Sequence, residues 1–434
     1  MILIYTNKKT ERLQYICSHV FKQTLGVDFE LCIDIDYFNN FDGGKLNYSE
    51  LLMDDVVSVY PHNLLFENVI SPQTVEVFTY ENMPVCFRNQ VAGSAFPFDV
   101  FAACFFFLSR YEEYLPHEKD VHHRYEAKES LAYKHDFLHL AVVDRWIKLL
   151  ADELKKKYSD ISFAQSKSSF ILTYDIDLAY AYKHKGFLLN AAGFIRSLFK
   201  CKFADIKNRA NVLLDKTTDS YDTFDYLSSL HQKYELKPCY FFLVAQNRSR
   251  YDKNTRTDNK AFQNLIQNLS VKADIGLHTS YYVMDNPQKV KHELACLQNI
   301  LEKPMVKNRY HYLRFSLPES YQLLLSNGVE EDYSMGYVHH IGFRAGTCKP
   351  FYFFDLKENK TTKLLVYPLL FMENAFMVEN ISQIKSRLMS LVDEVLQYNG
   401  TLVSLFHNQS FGDDESGGQW KKIYEELLQK ITNL

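Results

Sequence analysis

Five times from residue 171 onward, an apolar run of strand length ends in charged or hydrogen-bonding residues, and this serial pattern constrains the fold more than any other feature. The first run is Ile171-Leu172-Thr173-Tyr174-Asp175-Ile176-Asp177. Side chains alternate along a strand, so Asp175 and Asp177 can project from one side at its carboxyl end, where α/β enzymes place their sites. The second run leads through Asp274-Ile275-Gly276-Leu277 into His278 and Thr279. The third is Arg309-Tyr310-His311-Tyr312-Leu313-Arg314, the fourth joins Glu331-Asp332-Tyr333 to Gly342-Phe343-Arg344, and the last is Thr401 to His407. Singly, each cluster also reads as a loop cap, a hydrogen-bonded core histidine or an ion-pair partner. In series, they predict one site on the rim of a barrel-like parallel sheet.

In this order the motifs resemble those of the NodB-homology polysaccharide deacetylases, carbohydrate esterase family four, over roughly residues 168–434. The resemblance implies a distorted (β/α) barrel at 161–434, preceded by a smaller α/β domain at 1–160. It makes Asp175 the catalytic base and Asp177 and His278 metal ligands. Arg309 would orient the base, and the Tyr312 N–H would help hold an oxyanion. Asp332 would match the family's late Asp, and His407 would be the general acid. One position departs from the pattern: the family's second metal-binding His falls on Tyr282. Catalytic zinc sites use three protein ligands and a water, so a replacement is required. His311 is preferred because it sits inside the Arg-x-x-Tyr motif, with His339 and His340 as later candidates. Arg314, Arg344, Tyr312 and Tyr282 complete the expected substrate-binding set.

The same chemistry can be read from the residues alone. A divalent cation, zinc foremost, would acidify water and polarise an acyl carbonyl. Asp175 could accept the proton, and His407 could protonate the leaving group. Arg309 would keep Asp175 ionised. The expected activity is removal of an acyl group, N-acetyl foremost, from a saccharide or glycan precursor. The alternative is an inactive glycan or lipid-glycan binder on the same fold.

With 434 residues, 47% of them hydrophobic, the chain can bury more than one core. A net charge of −4 argues against a dedicated nucleic-acid binder. Eight scattered cysteines without a Cys-x-x-Cys pair predict reduced, buried thiols. The start, Met1-Ile2-Leu3-Ile4-Tyr5, reads as a strand followed by charged residues and not as a signal peptide, which predicts a cytoplasmic protein. Strands are expected near 2–5, 29–35 and 84–88, and helices near 10–24 and 97–114. The run Phe98 to Leu108 is too apolar for a surface helix and is expected to be buried. Asp34-Ile35-Asp36 echoes the later Asp pair but lacks a His or Arg cluster beside it. Residues 183–218 form an insertion that mixes Phe187, Leu188, Ile195, Leu198 and Phe199 with basic residues. It reads either as a peripheral membrane contact at the inner face or as a helical lid over the cleft. A loop at 411–418 near His407 and an amphipathic helix at about 419–431 are expected to close the chain. Oligomeric state is not legible in this pattern.

Overall fold

The computed structural model describes residues 1–164, 166–376, 379–413 and 415–432. Its N-terminal part holds a parallel sheet of β1 (Ile2–Thr6), β2 (Phe29–Cys32), β3 (Gly44–Tyr48) and β4 (Val57–Ser58), in the order β2-β1-β3-β4. A short antiparallel pair, β5 (Phe78–Tyr80) and β6 (Met83–Val85), comes next. The strand expected at 29–35 stops at Cys32 because Asp34 starts a helix. Its carboxylate accepts the N–H groups of Asp36 and Tyr37 and caps Ile35–Asn40. The Asp34-Ile35-Asp36 motif is therefore a helix start.

The second sheet comprises β7 (Ser169–Ile176), β8 (Cys239–Leu243), β9 (Asp274–Thr279), β10 (Lys307–Tyr310), β11 (Glu331–Asp332), β12 (Phe351–Asp355), β13 (Lys360–Val366), β14 (Phe371–Met372) and β15 (Thr401–His407). Their order is β12-β13-β11-β10-β9-β8-β7-β15-β14. Every neighbouring pair is parallel except β12 with β13. Parallel pairing needs crossovers, and helices such as Phe224–Lys233, Lys260–Ser270 and Gln288–Leu301 supply them. The fold is thus mixed α/β, with the carboxyl ends of eight parallel strands on one rim. Among the described residues no pairing joins β12 to β14 into a closed ring.

Helix Val100–Leu108 is buried at every residue, because an all-round apolar helix has no face to offer water. Phe105 meets Phe354 of β12 at 5.2 Å between ring centroids, and Phe107 meets Trp146 at 5.6 Å. One hydrophobic cluster therefore runs through both parts of the chain. Beside it lies a buried charge network. Glu113 accepts from Arg110 Nε at 2.7 Å and from Arg344 Nε and Nη2 at 2.9 and 2.7 Å, while Arg110 Nη1 donates to the Arg344 carbonyl.

The insertion is a hairpin of two helices, Phe187–Phe199 and Phe203–Leu213. The last helix spans Glu415–Thr432, starting earlier than its sequence pattern predicts and leaving little of the expected loop; Asp414 of that loop lies outside the described residues. All eight cysteines are free, and six are buried. Among the described residues no helix is long and apolar enough to cross a membrane.

Candidate metal centre and active-site cleft

Strand register assembles the site. His407 lies opposite Asp175 across β15 and β7, and Arg309 lies opposite His278 across β10 and β9. Asp177 comes just after the end of β7, and His311 just after the end of β10. Asp177, His278 and His311 each offer a ligand atom, all within 4.8 Å of one another. Asp177 Oδ1 is 3.2 Å from His278 Nε2, and Oδ2 is 3.4 Å from His311 Nε2.

The hydrogen bonds behind the imidazoles decide what faces the centre. His278 Nδ1 lies 3.0 Å from the Arg309 carbonyl, and His311 Nδ1 lies 3.0 Å from Asp252 Oδ1. Both partners only accept, so each Nδ1 donates and each ring turns its Nε2 towards Asp177. Asp177 Oδ1 is buried with no hydrogen-bond partner among the described residues. Three lone-pair donors facing one point fit a divalent cation with nitrogen and oxygen preference. Without a cation, protons compensate in part. Burial pushes the His311 imidazole down, but Asp177 and then Asp252 outweigh it and hold it up, at about 9. Burial likewise opposes ionisation of Asp177, yet the His311 imidazole, with His278 and His407 beside it, brings its carboxyl well below the usual range.

Two further pairs flank the centre. Arg309 Nη1 donates to Asp175 Oδ1 at 3.0 Å and to Thr173 Oγ1 at 2.6 Å, and its Nε holds the Tyr333 carbonyl. Asp175 Oδ2 remains turned towards His278, 3.5 Å from Nε2. On the other side, Glu373 Oε1 takes His407 Nδ1 at 2.6 Å, the His407 main-chain N–H at 2.8 Å and Ser410 Oγ at 2.7 Å. Burial disfavours the charged His407, but Glu373, with help from Asp177 and Asp175, raises it to about 10. Its Nε2 is 3.7 Å from Asp177 Oδ2.

These groups open into a cleft of about 360 Å³ that His122, Arg124, Tyr312, His339 and Gln409 also line. A larger cavity of about 780 Å³, lined by Tyr133, His139, His340, Arg387 and Glu394, gathers no such convergence of lone pairs. Size is a poor guide here, and the donor geometry identifies the smaller cleft. The N-terminal part forms one wall: Arg124 donates to the Tyr312 carbonyl at 2.8 Å, and His122 Nδ1 is 2.9 Å from the Tyr281 hydroxyl.

The structure brings Asp175, Asp177, His278, Arg309, His311, Tyr312 and His407 together and holds four other expected residues away from the cleft. Asp332 is fully buried behind the rim, where Asn308, Tyr321 and Ser334 occupy both its oxygens. Arg344 is spent on Glu113, so it is an ion-pair partner and not a free anion receptor. Arg314 is tied to Asp285 and the Tyr281 carbonyl. Tyr282 belongs to a single 3-10 turn, Tyr281–Val283, where its ring packs near Tyr251 and Lys289 and away from the cleft. Of the later ligand candidates, His339 lines the cleft and His340 packs on Tyr133.

Sequence reasoning missed Glu373 and Asp252. Glu373 had a signal, since it ends the apolar run Leu369-Leu370-Phe371-Met372 in the same way as the other site residues. Asp252 had none. It sits in a loop and reaches His311 only through folding, while also accepting the Tyr281 N–H at 2.8 Å.

Comparison with known proteins gives a family match for the N-terminal part and remote structural likenesses over a share of the chain. Residues 2–159 match a family described as "Family of unknown function (DUF7033)". No curated protein matches the chain. Among solved structures, a Mycobacterium smegmatis protein assigned as a polysaccharide deacetylase shares 11% identity over 63% of this chain and 92% of its own, with a TM-score of 0.39. A polysaccharide deacetylase from Bacillus cereus shares 11% over 61% of this chain and 89% of its own, at 0.31. A carbohydrate esterase family four pseudoenzyme from Bacillus anthracis shares 8% over 61% and 63%, at 0.30. Likenesses at scores this low say nothing of the chemistry of the cleft, which rests on this chain's own residues.

Proposed function

We propose that the protein is a divalent-metal hydrolase that removes an acyl group, N-acetyl foremost, from a saccharide. The observation that carries this reading is the convergence of three ligand atoms, from Asp177, His278 and His311, between an Arg-held carboxylate and a Glu-held imidazole. Zinc or a similar cation held by those three residues would supply an acidified water and a polarised acyl carbonyl. Asp175 acts as base. Arg309 occupies its Oδ1 and aims Oδ2 at the cleft, so one oxygen stays free for a proton. His407 acts as acid, donating from Nε2 to the leaving amine, while Glu373 holds the opposite nitrogen and stabilises the charged ring. Neutralising Asp177 would lower the His407 imidazole from about 10 towards the range in which general acids work best. Tyr312, in a left-handed turn with φ of 61°, brings its main chain to the cleft wall, and we assign its N–H to the developing oxyanion.

Arg309 is a positioning residue, since it reaches the substrate only through Asp175. Tyr251, Tyr281 and Tyr312 cluster beside the centre, with Tyr251 and Tyr281 stacked at 4.1 Å and Tyr312 part-exposed, and this suits contact with a sugar face.

The test is elemental mass spectrometry on protein purified without chelator, joined to acetate release from N-acetylated and O-acetylated oligosaccharides. Near-stoichiometric metal is expected in the wild type and in Asp175→Asn, and its loss in Asp177→Ala, His278→Ala and His311→Ala. Asp175→Asn should release acetate at least about 100-fold more slowly. A protein that takes up no metal after reconstitution, or binds sugars without turnover, would replace this reading with that of an inactive glycan binder.

A further inference from the structure

The helical hairpin after β7 is built inside out. In helix Phe187–Phe199 the buried residues are the polar Asn190 and Ser197. Asn190 holds the Tyr182 carbonyl and receives Arg209 of the second helix, whose guanidinium also lies over the Tyr182 ring. The apolar residues point outward: Phe187, Leu188 and Phe199 are 84, 81 and 85% exposed, and Phe203 is 66% exposed. At about 100° per residue, Phe187, Leu188, Ile195, Leu198 and Phe199 share one arc, away from Asn190 and Ser197. None of these residues lines the cleft, so the hairpin does not act as its lid. Single exposed apolar side chains are ordinary, but a contiguous set on one helix marks a docking face.

Charge identifies the occupant. The segment 187–216 carries the exposed cations Arg196, Lys200, Lys202, Lys207 and Lys216, against only two carboxylates, Asp205 and Asp215. A second copy docked symmetrically would set this excess of positive charge against itself. An anionic surface would be attracted. Thirteen residues of helix are too short to span a bilayer, and no described helix can do so. They suit a helix lying in the interface, with its apolar arc among acyl chains and its cations at the headgroups.

We infer that residues 187–214 dock the protein on an anionic lipid bilayer. Hydrogen bonds tie both ends of the insertion to the cleft. Asp219 accepts the main-chain N–H groups of Ala181, Tyr182 and Lys183, just beyond Asp177, and Asn408, next to His407, holds the carbonyls of Leu178 and Tyr221. Docking would therefore hold the cleft at a fixed height above the bilayer, as a lipid-linked or surface-held glycan requires; this last step rests on the hydrolase reading, whereas the docking itself does not.

The test is co-sedimentation of the full chain with vesicles of phosphatidylcholine alone and of phosphatidylcholine with phosphatidylglycerol. We expect binding to the anionic vesicles, at least about tenfold weaker binding to the neutral ones, and weakening with added salt. The Phe187→Ser/Leu188→Ser/Phe199→Ser variant should lose binding while keeping its circular dichroism spectrum. Lys200→Glu/Lys202→Glu should weaken binding without touching the apolar arc. Asp177→Asn, which removes a metal ligand, should bind vesicles like the wild type, so that failure of the hydrolase reading and failure of this one are separable. No binding to anionic vesicles at low salt, or binding that survives the triple variant, would overturn the inference. So would a soluble dimer that the triple variant dissociates, which would assign the face to a second copy.

Discussion

Two buried charge clusters in this protein, the cleft and the Arg110–Glu113–Arg344 network, contain similar residues and differ in balance. In the network, both Glu113 oxygens receive guanidinium donors, and the pairing tightens the joint between the N-terminal part and the second sheet. In the cleft, acceptors outnumber donors. Asp177 and two Nε2 atoms face one another, and one Asp177 oxygen has no partner among the described residues. A cluster that satisfies itself is structural, whereas one with surplus lone pairs around a point is completed by something else. Burial alone does not separate the two, because Arg309 and Arg344 are both almost wholly inaccessible.

The sharpest break of this comparison is Glu113→Ala. It should cost about 3–5 kcal/mol, read by urea unfolding, because among the described residues it leaves the buried Arg344 guanidinium with no carboxylate and the buried Arg110 with Glu112 alone. Metal content should stay unchanged; a loss of metal with retained stability would reverse the assignment of the two clusters. The same pair predicts a pH effect. Burial raises the Glu113 carboxyl, but Arg344 and then Arg110 outweigh it and bring it to about 2. Its contribution to stability is therefore present above the ordinary glutamate range and lost as pH falls towards about 2. Acid unfolding of Glu113→Gln, tracked by circular dichroism, should show a flatter dependence in that window.

A smaller effect is expected from Asp252→Asn. It leaves all three ligands in place but weakens the hold on the His311 proton, so zinc affinity measured by chelator competition should fall about 10–100-fold. An unchanged affinity would exclude Asp252 as the group that orients the ligand. The smallest effect belongs to the outward face of the hairpin. Phe187→Ser should change folding stability by no more than about 0.5 kcal/mol, since the side chain buries little. A larger loss would mean that this face packs against protein.

Much of the architecture is legible in local pattern. The buried helix at 100–108 is expected from an unbroken apolar run, and the strand ends at Asp175, His278, Arg309 and His407 from apolar runs stopping at polar residues. Neighbouring register then makes their meeting almost unavoidable. Other features resist this reading. Arg344 beside a glycine-rich turn looks the same in sequence whether it waits for a ligand or grips Glu113, which lies 231 residues away. Asp332 ends a strand like the others, but Asn308, Tyr321 and Ser334 consume its acceptors.

By itself the sequence determined five strand-end clusters and the inventory of acids, imidazoles and guanidinium groups in them, because periodicity and strand termination are local properties of a chain. Tertiary structure alone decided that Asp252 backs His311, that Glu373 backs His407, and that Asn190 and Ser197 take the inside of their helix and leave Phe187 and Phe199 outside. Those outcomes depend on which distant groups come within about 3 Å of one another. A hydrogen bond has that reach in space and none along the chain.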